Sequence, residues 1–269
     1  LGNRRRNIYD RSKQGLIFPY PRRKKLIVTL FISILDVESS LSEITIKLSY
    51  VLRTLAEFRV SEVLWVYETE KERKGWKLIK EISDYALTPP YLKKYIPKRK
   101  SLSKVGLLQP LNIASHQVSP EFIEGEIRLG KKGDFGLRFS YDYFHSDYVI
   151  VSDSLAKKVK PYSFYPYYKG FTSRLISYQK MLERVTHSDN VIIASRSGAN
   201  LSQVEGKIRE VYEEKGLYLV IGPPKHGVLR DLHDFKGFIV NFIPKQGVKD
   251  VRAEEALQAS LALLNFILN

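Results

Sequence analysis

The chain has 269 residues, 43% hydrophobic and 27% charged, no cysteine and a formal charge of +15. That length buries a full core in one or two domains, and the missing thiols exclude disulfides and thiolate metal sites. No apolar run approaches the roughly 18 residues that span a bilayer.

The N-terminus "LGNRRRNIYDRSK" is basic but has no apolar stretch of the kind a secretory leader needs. The expectation is a cytoplasmic protein with no membrane partner. Residues 1–25 hold nine Lys/Arg against one Asp, and 91–104 add six with no acid, so the remainder is nearly neutral. Excess positive charge concentrated in this way marks a polyanion partner, because each phosphate contact releases counterions. The candidate contacts to a nucleic acid or other polyanion are Arg22, Arg23 and Lys24 in the arm, with Lys93, Lys94, Lys98, Arg99 and Lys100 in the second cluster. Neither segment has the apolar face of an interfacial helix. The five histidines show no metal-ligand spacing, and no metal is expected.

Taken in chain order, "KKLIVTLFISIL" (24–35) predicts a buried strand. Ser40 and Glu43 form a capping box for a helix with Leu41, Ile44, Leu48, Leu52, Leu55 and Phe58 at helical spacing. "VSEVLWVY" (60–67) is the next strand, completing a βαβ unit. From about Thr88 to Phe171 prolines, glycines and aromatics dominate. "FIEGEIRL", "FGLRFSYDY" (135–143) and "DYVIVSD" read as short strands, with "GKKGD" as a hairpin turn. The pattern predicts a small OB-like β-barrel whose tyrosines and phenylalanines, among them Tyr162, Phe164, Tyr165, Tyr167 and Tyr168, divide between base stacking and core. Beyond Arg174, "DNVIIAS" (189–195), "LYLVIG" (217–222) and "GFIVNFI" (237–243) are strands, and Asn200 caps a helix that stops at Gly216. The last helix, "AEEALQASLALLNFIL", is apolar nearly all round and calls for cover on two sides, by its own sheet and by a partner subunit. The division is therefore a basic arm (1–24), an α/β domain (25–87 and 172–269) and an inserted barrel (88–171).

Three strand ends carry unusual loops: "ASRSGAN" (194–200), "GPPKHG" (222–227) and "NFIPKQGVKDVRAEEAL" (241–257). In parallel sheets ligands bind beyond the carboxyl ends of strands, and glycine there permits close backbone approach. Together the loops predict a pocket.

The order Gly-Pro-x-x-x-Gly, Ile-Pro-x-Gln-Gly, Val-Arg-x-Glu-Glu-Ala before an apolar terminal helix resembles the SPOUT class of RNA methyltransferases. The closer likeness is to its archaeal and eukaryotic branch, which carries an OB-fold insertion. "KLSYVLRTLAEFRVSEVLWV" (47–66) is similar to the first motif of the SPOUT ribose methyltransferases. The resemblance implies a trefoil-knotted parallel sheet with helices on both faces and a homodimer through the C-terminal helix. It also implies S-adenosylmethionine as cofactor, held by Ser195, Ser197, Gly198, Gly222, Pro223, Gly227, Ile243, Pro244, Gln246, Gly247, Val248, Val251 and Glu255. Arg53 matches the catalytic arginine position of the ribose methyltransferase motif. The branch points to ribosomal RNA and to base methylation, such as N3 of uridine. Where the branch has Thr-Ser-Glu-Arg-Gly this chain has Ala194-Ser195-Arg196-Ser197-Gly198, which leaves open a non-catalytic RNA-binding assembly factor. A P-loop nucleotide enzyme has no matching motif here.

Overall fold

The structure is a computed structural model that describes residues 19–117, 122–137, 146–224 and 226–269. Six strands form one parallel sheet in the order β6-β2-β1-β8-β7-β9. β1 (Leu26–Phe31) lies near its centre, between β2 (Glu62–Tyr67) and β8 (Leu217–Ile221). β6 (Thr172–Ser177) extends the sheet beside β2, and β7 (Val191–Asn200) and β9 (Phe238–Asn241) extend it beyond β8. Every residue of β1 is buried, as a strand covered on both faces requires.

Helices flank the sheet: α1 (Leu41–Glu57), α2 (Glu70–Leu87), α3 (Tyr178–Thr186), α4 (Leu201–Lys215) and α5 (Ala253–Ile267). The expected capping box of α1 is present, with Glu43 N–H donating to Ser40 Oγ at 3.2 Å and Glu43 Oε2 accepting from Ser40 N–H at 3.1 Å. α4 ends at Gly216 (φ +78°), where a Cβ would sit 2.5 Å from the Lys25 carbonyl oxygen, so glycine is required.

Local departures from the sequence reading have local causes. The strand expected over 24–35 pairs only through Phe31 and then tightens into a 3-10 turn at Ile32–Leu35, whose isoleucines stay buried in the core. α2, β6 and α3 were not anticipated. α2 is polar overall, and only Ile79, Ile82, Ser83 and Ala86 are buried, although Thr69 and Glu72 announce its start. "FIEGEIRL" contributes only Ile127–Leu129 as strand β3. Between α2 and β6, β3 pairs antiparallel with β4 (Tyr148–Asp153), and β4 with β5 (Lys158–Tyr162). Phe135, Leu137, Val149, Val151 and Val159 make a small separate core there. Most of the strand expected at 135–143 lies outside the described residues.

α5 buries Leu257, Ser260, Leu261, Leu264 and Ile267 against the domain. Its other side exposes Phe266 (81%) and Leu263 (38%), so among the described residues the helix is covered on one side only. Among the described residues no helix is long and apolar enough to cross a membrane.

Candidate functional site

The carboxyl ends of β1, β7, β8 and β9 converge on a cavity of about 1620 Å³. This is where a parallel sheet holds a ligand. All three predicted loops line it. Ser195 and Ser197 come from the first, Gly222, Pro223 and Gly227 from the second, and Ile243, Gln246, Val251 and Glu255 from the third. Gly198, Pro244, Gly247 and Val248 do not line it.

Gly198 shapes the site from behind. β9 pairs with β7 both before and after residues 195–198, because Val240 faces Ala194 and also Ala199, and the loop bulges out between them. A Cβ on Gly198 would lie 2.6 Å from the backbone of Ile239 and Val240. The first and third loops are then laced together. Arg196 Nη1 donates to the Lys249 carbonyl (2.6 Å), Asn241 Nδ2 to the Arg196 carbonyl (3.1 Å), and Ile243 N–H to Asn241 Oδ1 (3.0 Å). Gln246 Nε2 donates to the carbonyls of Val248 (2.8 Å) and Lys249 (3.0 Å), so its amide sets the loop's shape. Glu255 has a structural duty, accepting from Arg252 N–H at 3.0 Å as the cap of α5.

The sequence reading missed a buried charge cluster in the same wall. Lys47 Nζ lies 3.0 Å from Glu38 Oε1 and 3.5 Å from Glu254 Oε2, and all three side chains are at most 14% exposed. One lysine between two carboxylates leaves the cluster net acidic. Among the described residues Glu38 Oε2 and the Ser260 hydroxyl are buried without a hydrogen-bond partner, and Glu254 Oε2 has only the Lys47 ammonium at 3.5 Å; all three residues line the cavity. Buried polar atoms of this kind are costly unless something completes them.

His226, which the sequence left unassigned, also lines the cavity. Its Nε2 meets the Glu68 carboxylate at 2.8 and 3.1 Å, while its Nδ1 is buried without a hydrogen-bond partner among the described residues. The Glu68 carboxylate beside Nε2 calls for a proton on that nitrogen. The Tyr178 ring packs edge-on, 6.2 Å away, and its hydroxyl donates to Asp231 Oδ2 at 2.5 Å. That hydrogen bond draws the Asp231 carboxyl below its ordinary range, while burial and Asp231 push the Tyr178 phenol up.

Arg53 stands apart from the cavity and donates to the Pro110 carbonyl. Several expected RNA contacts are likewise engaged in the fold. Arg22 is buried, its Nε donating to the Phe58 carbonyl (3.0 Å) and its Nη2 to Asn265 Oδ1 (2.6 Å). Lys24 Nζ reaches the Glu214 carbonyl (2.9 Å), Lys93 sits over the Tyr85 ring (4.5 Å) and Lys94 pairs with Asp134 (2.7 Å). Arg23, Lys98, Arg99 and Lys100 are exposed.

Residues 25–131, covering β1 to α2 and the start of the inserted region, match the family described as "Putative RNA methyltransferase". The match supports an RNA methyltransferase. The chain is similar at 28% identity to an uncharacterized protein of Halobacterium salinarum, the alignment covering 82% of this chain and 92% of that one. An uncharacterized protein of Haloarcula marismortui gives the same identity and shares. A crystal structure of a "putative methylase family protein" from Neisseria gonorrhoeae overlays 91% of this chain and 80% of its own, at 8% identity and TM-score 0.35.

Proposed function

We propose that the chain is an S-adenosylmethionine-dependent RNA methyltransferase acting on ribosomal RNA, with a base nitrogen, N3 of uridine, as the acceptor. The observation that carries this reading is the convergence of the three loops on one cavity. The chemistry of the wall fits the donor. Glu38 Oε2 and the Ser260 hydroxyl have no hydrogen-bond partner among the described residues, and the donor's ribose hydroxyls and α-ammonium are hydrogen-bond donors. Ile193, Ile221, Phe242, Ile243 and Val251 supply apolar surface for a purine. Pro223 and Pro224 have no amide to leave unsatisfied where the ligand packs.

When bound, the donor supplies an electrophilic methyl group on a sulfonium. The protein's task is to align the RNA nitrogen with that methyl and to take up its proton. A guanidinium is a poor base, and Arg53 Nη1 donates to the Pro110 carbonyl. His226, fixed by Glu68 on the cavity wall, is the assigned proton acceptor. His226→Ala is expected to lower methyl transfer about 100-fold, the low end for a lost general base, while donor binding measured by calorimetry stays unchanged. Equal loss of donor affinity would make the histidine a wall residue only.

The exposed Phe266 and Leu263 support a homodimer through α5, and the knotted chain path and cytoplasmic location belong to the same proposal. Phe266→Glu is expected to convert a dimer to monomer in sedimentation, and a wild-type monomer would contradict it. The activity test is transfer of labelled methyl from S-adenosylmethionine to purified ribosomal RNA, with the labelled nucleotide mapped. One labelled uridine is expected. Donor binding without any labelled RNA would instead favour the RNA-binding assembly factor.

A further inference from the structure

A second concave surface lies away from the cavity. Lys74, Lys77, Leu78 and Glu81 of α2 and Arg99, Lys100 and Ser101 beyond it line a groove of about 800 Å³. Lys74, Lys77 and Glu81 recur at helical spacing and so share one face of α2. The other acids of α2 are already engaged: Glu70 with Arg73 (3.1 Å), Glu72 with the Glu68 N–H (2.7 Å) and Asp84 with Lys80. Among the described residues Glu81 is the one carboxylate lining the groove, and both its oxygens accept hydrogen bonds. Ser101 Oγ donates to one of its oxygens and Arg99 Nη1 to the other, at 2.6 Å. The Ser101 hydrogen bond, with Arg99 beside it, draws the Glu81 carboxyl below its ordinary range. Glu81 therefore stays ionised and acts as an internal brace that orients Arg99 and docks the 99–101 turn on α2. Four cations around one braced carboxylate leave a net charge of +3 in the groove.

We propose that this groove is a docking site for the phosphodiester backbone of single-stranded RNA, with Lys74 and Lys77 as phosphate contacts beside Arg99 and Lys100. The inference rests on the RNA-directed half of the function proposed above, not on methyl transfer. Exposed Lys98 and Lys104 continue the positive surface on the same segment. A membrane surface fits less well, because Leu78 and Leu102 are half-buried and offer no apolar wedge. Recognition of this kind positions the strand without reading its sequence.

The test measures binding of a labelled single-stranded RNA to the full chain by anisotropy across a salt series. Each phosphate contact to a single strand contributes about 0.7 to the slope of log K against log salt. Lys74→Gln/Lys77→Gln is expected to flatten that slope by about 1.4 and to weaken RNAs of different sequence equally. Lys180→Gln/Lys207→Gln, which removes the same charge from exposed sites on α3 and α4, is expected to leave the slope unchanged. Equal flattening by both variants, or by neither, would overturn the proposal. So would a wild-type chain that does not bind RNA, or a Lys74/Lys77 variant that loses binding to anionic phosphatidylserine vesicles and keeps its RNA affinity. RNA binding with this signature but no methyl transfer would leave the groove standing and remove only the enzyme reading. Both substitutions put one good helix former for another, and circular dichroism confirms the fold.

Discussion

Gly198→Ala is expected to weaken donor binding and to destabilise the protein. The added Cβ would come within 2.6 Å of the backbone carbonyl carbons of Ile239 and Val240 and of the Val240 nitrogen. Backbone atoms cannot rotate away as a side-chain tip does, so β9 must shift from β7 or the 195–198 loop must unseat. Over-packing of this kind costs about 1–3 kcal/mol, and for a chain of this size each kcal/mol lowers Tm by about 2–4 °C. Unseating the loop also moves Arg196, whose Nη1 holds the first loop to the Lys249 carbonyl of the third, and Ser197, whose N–H donates to Ser195 Oγ within the first loop. Donor affinity is expected to fall at least about tenfold, or roughly 1.4 kcal/mol. Gly222→Ala provides the contrast, since its Cβ would meet only Val228 Cγ2 at 3.7 Å, an ordinary contact. Equal stability for the two variants would contradict the close-approach argument.

The second large effect is expected from Lys47→Met. The ammonium lies between Glu38 and Glu254, whose side chains are 14% and 13% exposed. Removing it leaves two mostly buried carboxylates without a counter-charge, which costs about 3–5 kcal/mol when a buried pair is broken from one side. The loss should be largely reversed in the triple variant Lys47→Met/Glu38→Gln/Glu254→Gln, because neutral amides carry no charge to bury. Urea unfolding of the wild type, the single variant and the triple variant measures both steps. A single variant as stable as the wild type would mean that water reaches the cluster freely.

What the sequence revealed, and what it hid, follows from how locally each feature is encoded. The βαβ start and the Ser40 cap of α1 rest on neighbouring residues, and they appear in the structure as read. The pocket loops were legible because glycine and proline at strand ends have few other uses. Their convergence depends on β8 inserting between β1 and β7, which no local pattern states. The Lys47 cluster was hidden for that reason: its carboxylates come from the turn after β1 and from the first turn of α5. α2 was missed because its apolar stripe is narrow within a charged segment. Arg53 carried a motif match, yet its guanidinium faces Pro110. Tyr168, one of the residues offered for base stacking, is a core residue that donates to the Val60 carbonyl at 2.7 Å. Composition identified its type but could not say which way it faced.

The central claim is that the cavity at the strand ends holds S-adenosylmethionine, and calorimetric titration of the purified chain with that compound tests it most directly. Saturable binding is expected at one molecule per chain, abolished by Gly222→Arg, which places a long cationic side chain at the cavity wall without a close backbone contact. No heat of binding at millimolar donor, from a folded wild-type chain, would contradict the account.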